Sequence, residues 1–244
     1  MPSTFDPFGD YATAGYLRNV AAEKDLSLVK RAEHQLFRAQ LPKALDYLQS
    51  RKRIEYSDYL RVHHILFGGL YPWAGQDRAQ VLPDQAIVKG DVYFCHPLSC
   101  HLAVDQGLSL AQERQRIATQ PGLIMGMFAY GHPFLDGNGR TMLVVHSELC
   151  FRTNMSVDWT QTQKVPYLRA LTQELEDPKA GYLDDYLRPF IGKQIPHHQW
   201  QLAVSELPGL DGTATVQAMS PQYADPQVAQ GHRDFERSRG YGLE

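Results

Sequence analysis

Cysteine is scarce in this chain. Cys95, Cys100 and Cys150 are the only three among 244 residues, an odd number that argues against a disulfide framework and predicts reduced thiols. Cys95 and Cys100 lie next to His96 and His101, but their spacing matches no paired zinc knuckle, so ordinary packing is the better reading. Basic charge is also in short supply: 24 Lys and Arg stand against 27 Asp and Glu, a formal charge of −3. That balance argues against the broad positive field of a general nucleic-acid binder, and any polyanion has to be gripped locally. No apolar run approaches the length of a membrane span. The first fifteen residues lack the charged and apolar blocks of a signal peptide, which predicts a cytoplasmic place of synthesis. Internal repeats and low-complexity tracts are missing as well. What is present, 43% apolar and 21% charged residues, suits a soluble globular chain with a sizeable core.

Apolar residues recur mostly at helical spacing, as in Leu28, Ala32, Leu36 and Leu41, then Leu60, His64 and Phe67, then Leu168, Leu171 and Leu175, so the expected class is mainly α. Pro42 is expected to open a second short helix through Tyr47 and Leu48, and Ser57 to cap the next one. Further helices are expected over 98–114, 122–131, 138–152 and 181–190. Residues 78–97 resist this pattern. There β-branched and aromatic residues flank Pro83, Asp84, Lys89 and Gly90, the mark of an irregular hairpin. After Gln194 the chain turns rich in Gln, Pro, Gly and Ser, which predicts a tail that is mobile or ordered only against a partner.

The informative block is His132-Pro133-Phe134-Leu135-Asp136-Gly137-Asn138-Gly139-Arg140, set between the apolar segments LIMGMFAYG and TMLVVHSELC. Pro133 stops the first helix, and Gly137 and Gly139 allow successive N–H groups to turn inward with no Cβ in the way. The second helix, starting near Asn138, aims its unpaired N–H groups and positive dipole end into the same hollow, a site suited to a di- or triphosphate. Arg140 adds a full charge and a bidentate fork. Asp136 is placed to hold a divalent cation such as Mg²⁺, which takes few carboxylates and fills its shell with water and phosphate oxygens. His132 has an ordinary pKa near neutrality and can accept a proton. Together these groups describe transfer of a phosphorus centre to a hydroxyl. Duller readings exist for each: Asn-Gly alone is a common turn, and a lone histidine at a helix end is usually a cap. An EF-hand fails by count, because Arg140 and Thr141 fall where an oxygen ligand and a glycine are needed.

The block resembles the signature of the Fic family, HxFx(D/E)GNGRxxR, and matches it at every specified position from His132 to Arg140. His64-Ile65-Leu66-Phe67, Tyr71-Pro72-Trp73-Ala74-Gly75 and Arg78 are similar to a second family segment, and residues 79–97 to the family's flap hairpin. The resemblance covers residues 5–192. It implies a helical bundle with a short β-hairpin flap over the active-site loop: a catalytic domain over 1–192, made of N-terminal helices (1–55) and a Fic core (56–192), followed by a tail over 193–244. It also implies AMP transfer from Mg-ATP to a Tyr, Thr or Ser hydroxyl of a target protein. In that scheme His132 is the base, Asp136 holds Mg²⁺, Gly137, Asn138 and Gly139 form the anion hole, and Arg140 contacts the phosphates. Phe134, Trp73 and Arg78 read as structural support. The flap, with Val88, Lys89 and Gly90 as the contact candidates, would take the target as an added strand. No membrane and no direct nucleic-acid contact are implied, and the protein is expected in the cytoplasm or delivered into a target cell.

One position departs from the signature. Its final arginine, which in relatives grips the γ-phosphate and pairs with an inhibitory glutamate, is Leu143 here. Loss of such a charge-assisted contact costs on the order of 1.5–3 kcal/mol. The alternatives are therefore a different donor (UTP, GTP or a CDP-linked group) or a nucleotide-binding scaffold without turnover. The inhibitory helix motif has no clear counterpart; Thr172 to Asp177, TQELED, comes nearest but ends wrongly. The N-terminal stretch DPFGDYATAGYLRNVAAEKDLSLVKRAEHQLF is similar to Fic toxins whose inhibitory helix comes from a separate small antitoxin, which makes such a partner an expectation.

Overall fold

The computed structural model describes residues 5–200 and 219–240. Helix α1 (Leu26–Ser50) is capped by the Asp25 carboxylate, which accepts from the Ser27 and Leu28 amides. It runs as one helix with Pro42 in its interior, where a break was expected. Buried side chains continue on one face across the proline, from Phe37 and Leu41 to Ala44, Leu45 and Leu48, and that packing offsets the roughly 3 kcal/mol a proline costs inside a helix. The inward stripe also differs from the expected one. Leu28 and Ala32 face solvent, and the buried face is Val29, Glu33, Phe37 and Leu41. A glutamate in that face hides it from a hydrophobic count.

Helix α2 (Tyr56–Phe67) starts earlier than Ser57 implied. Glu55 is its N-cap residue, and the Asp58 carboxylate accepts from the Glu55 amide at 2.9 Å. Strands β1 (Val88–Lys89) and β2 (Val92–Tyr93) form the flap hairpin, with Val88 opposite Tyr93 and Lys89 opposite Val92. The expected helix over 98–114 is shorter. Pro97–Ser99 is a separate helical turn, α3 spans Cys100–Gln112, and Glu113 turns extended before another short helix.

Helix α4 (Pro121–Gly131) lies at the centre, buried on nearly all sides, and packs on α3, on α6 (Lys164–Glu176) and on α7 (Tyr182–Leu187). Helix α5 (Asn138–Arg152) has the bounds expected from sequence and is almost wholly buried. Strand β3 (Met155–Val157) pairs antiparallel with β4 (Ile191–Lys193), so the border expected at 192/193 falls inside a strand. Beyond it Trp200 is buried, and residues 219–240 are folded onto the flap, ending in helix α8 (Pro226–Ser238). For these parts of the tail the expectation of a chain without structure of its own is corrected; residues 201–218 lie outside the described set. Among the described residues no helix is long and apolar enough to cross a membrane.

Candidate active site

Helix α4 ends at Gly131, and His132 takes a left-handed conformation, φ 42° and ψ 54°. Histidine tolerates this region better than most residues, and here it swings the chain sharply out of the helix. The buried Arg78 guanidinium holds the corner: Nε donates to the His132 carbonyl at 2.7 Å, and Nη2 to the Cys95 carbonyl at 2.6 Å. The Arg78 amide donates to Pro133 O at 2.7 Å. The His132 ring stacks on Phe94 of the flap at 3.8 Å. Burial, with the Lys89 ammonium and the Arg78 guanidinium adding to it, pushes the His132 pKa well below the ordinary value. The imidazole is therefore neutral at pH 7 and able to take a proton.

The loop after it is locked from inside. Phe134 is fully buried and stacks on His63 at 3.6 Å. The Asn138 side chain spans the loop, accepting from Phe134 N at 2.9 Å and donating to Phe134 O at 2.7 Å. This amide is spent on the loop, which leaves only the Asn138 backbone N–H for a ligand. His63, which the sequence patterns pass over in favour of its neighbour His64, accepts from Gly75 N through Nδ1 and donates from Nε2 to Asp136 O, both at 3.0 Å. With Nδ1 accepting, the Nε2–H tautomer is fixed, and burial pushes the His63 pKa down to about 3. His64 is exposed, with Nδ1 at 2.9 Å from Ala74 O. Trp73 donates to Leu17 O at 2.8 Å.

Gly137 sits at φ +76°, and a Cβ there would lie 2.6 Å from Phe67 and 3.0 Å from His63. Only glycine fits. At Gly139 a Cβ would meet nothing within 4 Å, so this glycine borders open space. The first N–H groups of α5 have no intrahelical partner by helix geometry. That of Gly137 is taken by its neighbour, the Asp136 carboxylate, at 2.7 Å.

Charge at the site is paired internally by side chains from α1. Lys30 Nζ bonds Asp136 Oδ2 and, at 2.9 Å, Glu33. The buried Glu33 carboxylate bonds Arg140 Nη2, and Arg140 lies 3.8 Å from Asp136 Oδ1 and 4.7 Å over the Phe67 ring. Burial raises the Asp136 pKa, but Lys30 and Arg140 outweigh it and hold the carboxyl well below its usual range. Burial likewise opposes the charge on Lys30, and Asp136 with Glu33 more than restore it. Tyr16 completes the ring, its hydroxyl 3.4 Å from Asp136 Oδ2. No sequence signal short of a full family comparison points to Lys30, Glu33 or Tyr16, because each lies more than a hundred residues from its partner.

Leu143 is buried in the core. Glu174 of the TQELED segment accepts from the Leu183 amide at 3.1 Å, and burial raises its pKa to about 7. Of the flap candidates, Val88 is buried, Lys89 is half-buried with Nζ 5.5 Å over Phe94, and Gly90 is exposed at φ +60° in the turn. Among the described residues no three His, Cys, Asp or Glu side chains gather as a metal-holding group.

A helix ending in a buried histidine thus runs into an asparagine-locked glycine loop and a second helix carrying an arginine. Residues 53–150 match the Fic/DOC family model. It is 27% identical over 182 residues to the protein adenylyltransferase VbhT of Bartonella schoenbuchensis; the match takes in 68% of this chain but 35% of VbhT, so the likeness is to part of that longer protein. It is 25% identical over 170 residues to the probable protein adenylyltransferase y4lH of Sinorhizobium fredii, covering 66% of this chain and 84% of that protein. The fold is shared with the Bartonella tribocorum effector BepC crystallised with AMPPNP, at TM-score 0.58 and 15% identity over 72% of this chain and 92% of that one. It is shared too with the Fic domain of an effector from Bartonella sp. AR 15-3, at TM-score 0.59 and 15% identity over 81% and 92%.

Proposed function

We propose that this chain moves AMP from ATP to a hydroxyl side chain of another protein. The observation that carries the reading is the buried His132 at the start of the glycine loop, held by Arg78, with Asp136 and Arg140 3.8 Å apart further along the same segment. The imidazole accepts the proton of the incoming hydroxyl. As that oxygen bonds to the α-phosphorus, the bond from phosphorus to the bridging oxygen breaks and pyrophosphate leaves with the electron pair. Arg140 and the free amides of Asn138 and Gly139 face the charge that spreads over the phosphate oxygens. Asp136 would hold Mg²⁺, which supplies countercharge to the phosphates. One carboxylate suits this ion's sparing use of protein ligands, provided Lys30 releases Oδ2.

The internal pairs set a condition on binding. A triphosphate must take Arg140 from Glu33, and Lys30 is a second cation within its reach, in a chain whose final signature arginine is Leu143. An antitoxin that acts through that arginine has no such partner here. Glu33 instead meets the first signature arginine, from the chain's own α1.

The test is incubation of the chain and a cell lysate with Mg²⁺ and ATP labelled at the α-phosphate, beside His132→Ala. A labelled protein band that vanishes with the substitution is the expected result; a band that persists removes His132 from the role of base. Excess UTP, GTP or CDP-linked competitor that erases the band where unlabelled ATP does not would move the assignment to another donor.

A further inference from the structure

The flap strand β1 has two edges. One pairs with β2, and the other is filled by the chain's own residues 219–223. Val88 and Met219 exchange both backbone bonds, at 3.0 and 2.9 Å. The Ala86 amide donates to Pro221 O at 2.9 Å, and the Tyr223 amide to Asp84 O at 3.0 Å. The pairing is antiparallel, with Val88 opposite Met219 and Gln85 opposite Gln222, and the Ser220 hydroxyl bonds the Gln85 side chain. These are the N–H and C=O groups that any extended peptide would need in order to join the sheet, because alternate residues of an edge strand offer their backbone groups outward.

The chain beyond this segment clips it in place. The Tyr223 ring lies 4.4 Å from His96. Helix α8 crosses β2, with Phe235 6.2 Å from Tyr93 and Gly231 directly against the Tyr93 hydroxyl, which would stand 2.4 Å from a Cβ at that position. Arg239 ends the strap 3.4 Å over the ring of Tyr130, two residues before His132. Yet α8 buries none of its own side chains completely. The hold is specific in its backbone bonds and light in its packing, the balance expected of a strand that can be exchanged.

We propose that residues 219–223 are an internal stand-in for the target strand, occupying the flap edge so that a protein substrate pairs there only after the C-terminal strap has left. This rests on the transfer reading for what the edge is for, but the occupancy itself does not. An incoming extended segment competes for the same four backbone bonds, so the strap sets a threshold that a target, or a partner binding α8, has to exceed.

The experiment uses the full chain and two variants outside the site: Met219→Pro, which deletes one of the edge bonds, and Gly231→Trp, which cannot seat α8 against Tyr93. The probe is a fluorescein-labelled peptide of residues 219–225, followed by anisotropy, together with residue-resolved hydrogen exchange. The proposal expects the Ala86 and Val88 amides to exchange at least tenfold faster in both variants than in the wild type. It also expects the peptide to bind both variants at least tenfold more tightly than wild type, and that binding to be lost when Val88→Pro is added. Equal exchange in all three proteins, or equal peptide affinity, overturns it. The failure of AMP transfer would show separately, as an absence of α-phosphate label in every form with the exchange pattern unchanged.

Discussion

Replacing Glu33 with glutamine removes the carboxylate that holds Arg140 inside the resting site. The Arg140 side chain is 9% exposed and that of Glu33 0%, so the change takes from a buried guanidinium its nearer counter-ion and leaves it the Asp136 carboxylate at 3.8 Å. Breaking a buried pair in this way costs about 3–5 kcal/mol, and the amide oxygen that glutamine keeps puts this case near the lower end. At roughly 2–4 °C per kcal/mol for a chain of this size, the melting temperature should fall by about 6–12 °C. Lys30 also loses its pair with Glu33 but keeps Asp136 as a partner, so the larger loss falls on Arg140. Nucleotide binding should change in the opposite direction. In the wild type the phosphates compete with Glu33, whereas in Glu33→Gln they repair the pair, and recovering a charge-assisted contact of about 1.5–3 kcal/mol corresponds to about 10- to 100-fold tighter binding. Differential scanning fluorimetry and calorimetric titration with Mg-ATP read both quantities on the same sample. A melting temperature that falls with no gain in affinity would refute the reasoning, since Glu33 would then hold the fold without contesting the phosphate position.

Further outcomes separate the fold from the site. Gly137→Ala should unfold the loop, since its Cβ runs into Phe67 and His63, and cost several degrees of melting temperature. Gly139→Ala should leave melting unchanged and lower ATP affinity at least tenfold, which fluorimetry and calorimetry on the two variants would distinguish. Lys89→Met removes a cation that disfavours protonation of His132, so the His132 pKa rises and the acid limb of the rate profile moves toward higher pH; a limb that stays put would show that the two groups are not coupled. His63 and His146 are buried neutral, with pKa values pushed down to about 3 and about 4. Both take up a proton more readily when unfolded, so the stability they contribute is complete above pH 6.5 and is lost as pH falls toward their folded values. At pH 5 the loss is about 2 kcal/mol each, and urea melts of His146→Gln should show a drop in stability between pH 7 and pH 5 that is smaller than the wild type's by about that amount.

The parts legible in sequence were those written in consecutive residues. The loop and both flanking helices follow from Pro133, the glycines and an unbroken apolar run, all local, and α5 spans Asn138–Arg152 as expected. The hairpin over the loop was legible for the same reason. Helix α1 departs from its local pattern twice because packing overrides local preference: Pro42 is carried inside the helix, and the buried face includes Glu33, a charge answered by Lys30 on the same helix and by Arg140 from across the molecule. Lys30 and Tyr16 were invisible on the same ground. The occupied flap edge joins residues 84–88 to 219–223, a pairing that no periodicity signals and that makes a compositionally loose tail part of the site's cover.

The amide resonances of Gly139 and Arg140 offer the most direct test of the loop as a phosphate cradle. Titration of Mg-ATP into the labelled protein should shift both amides saturably, along with the Lys30 and Glu33 side-chain signals as their pairs to Asp136 and Arg140 give way. Resonances that stay fixed at saturating nucleotide, with α1 still closed over the loop, would contradict the account.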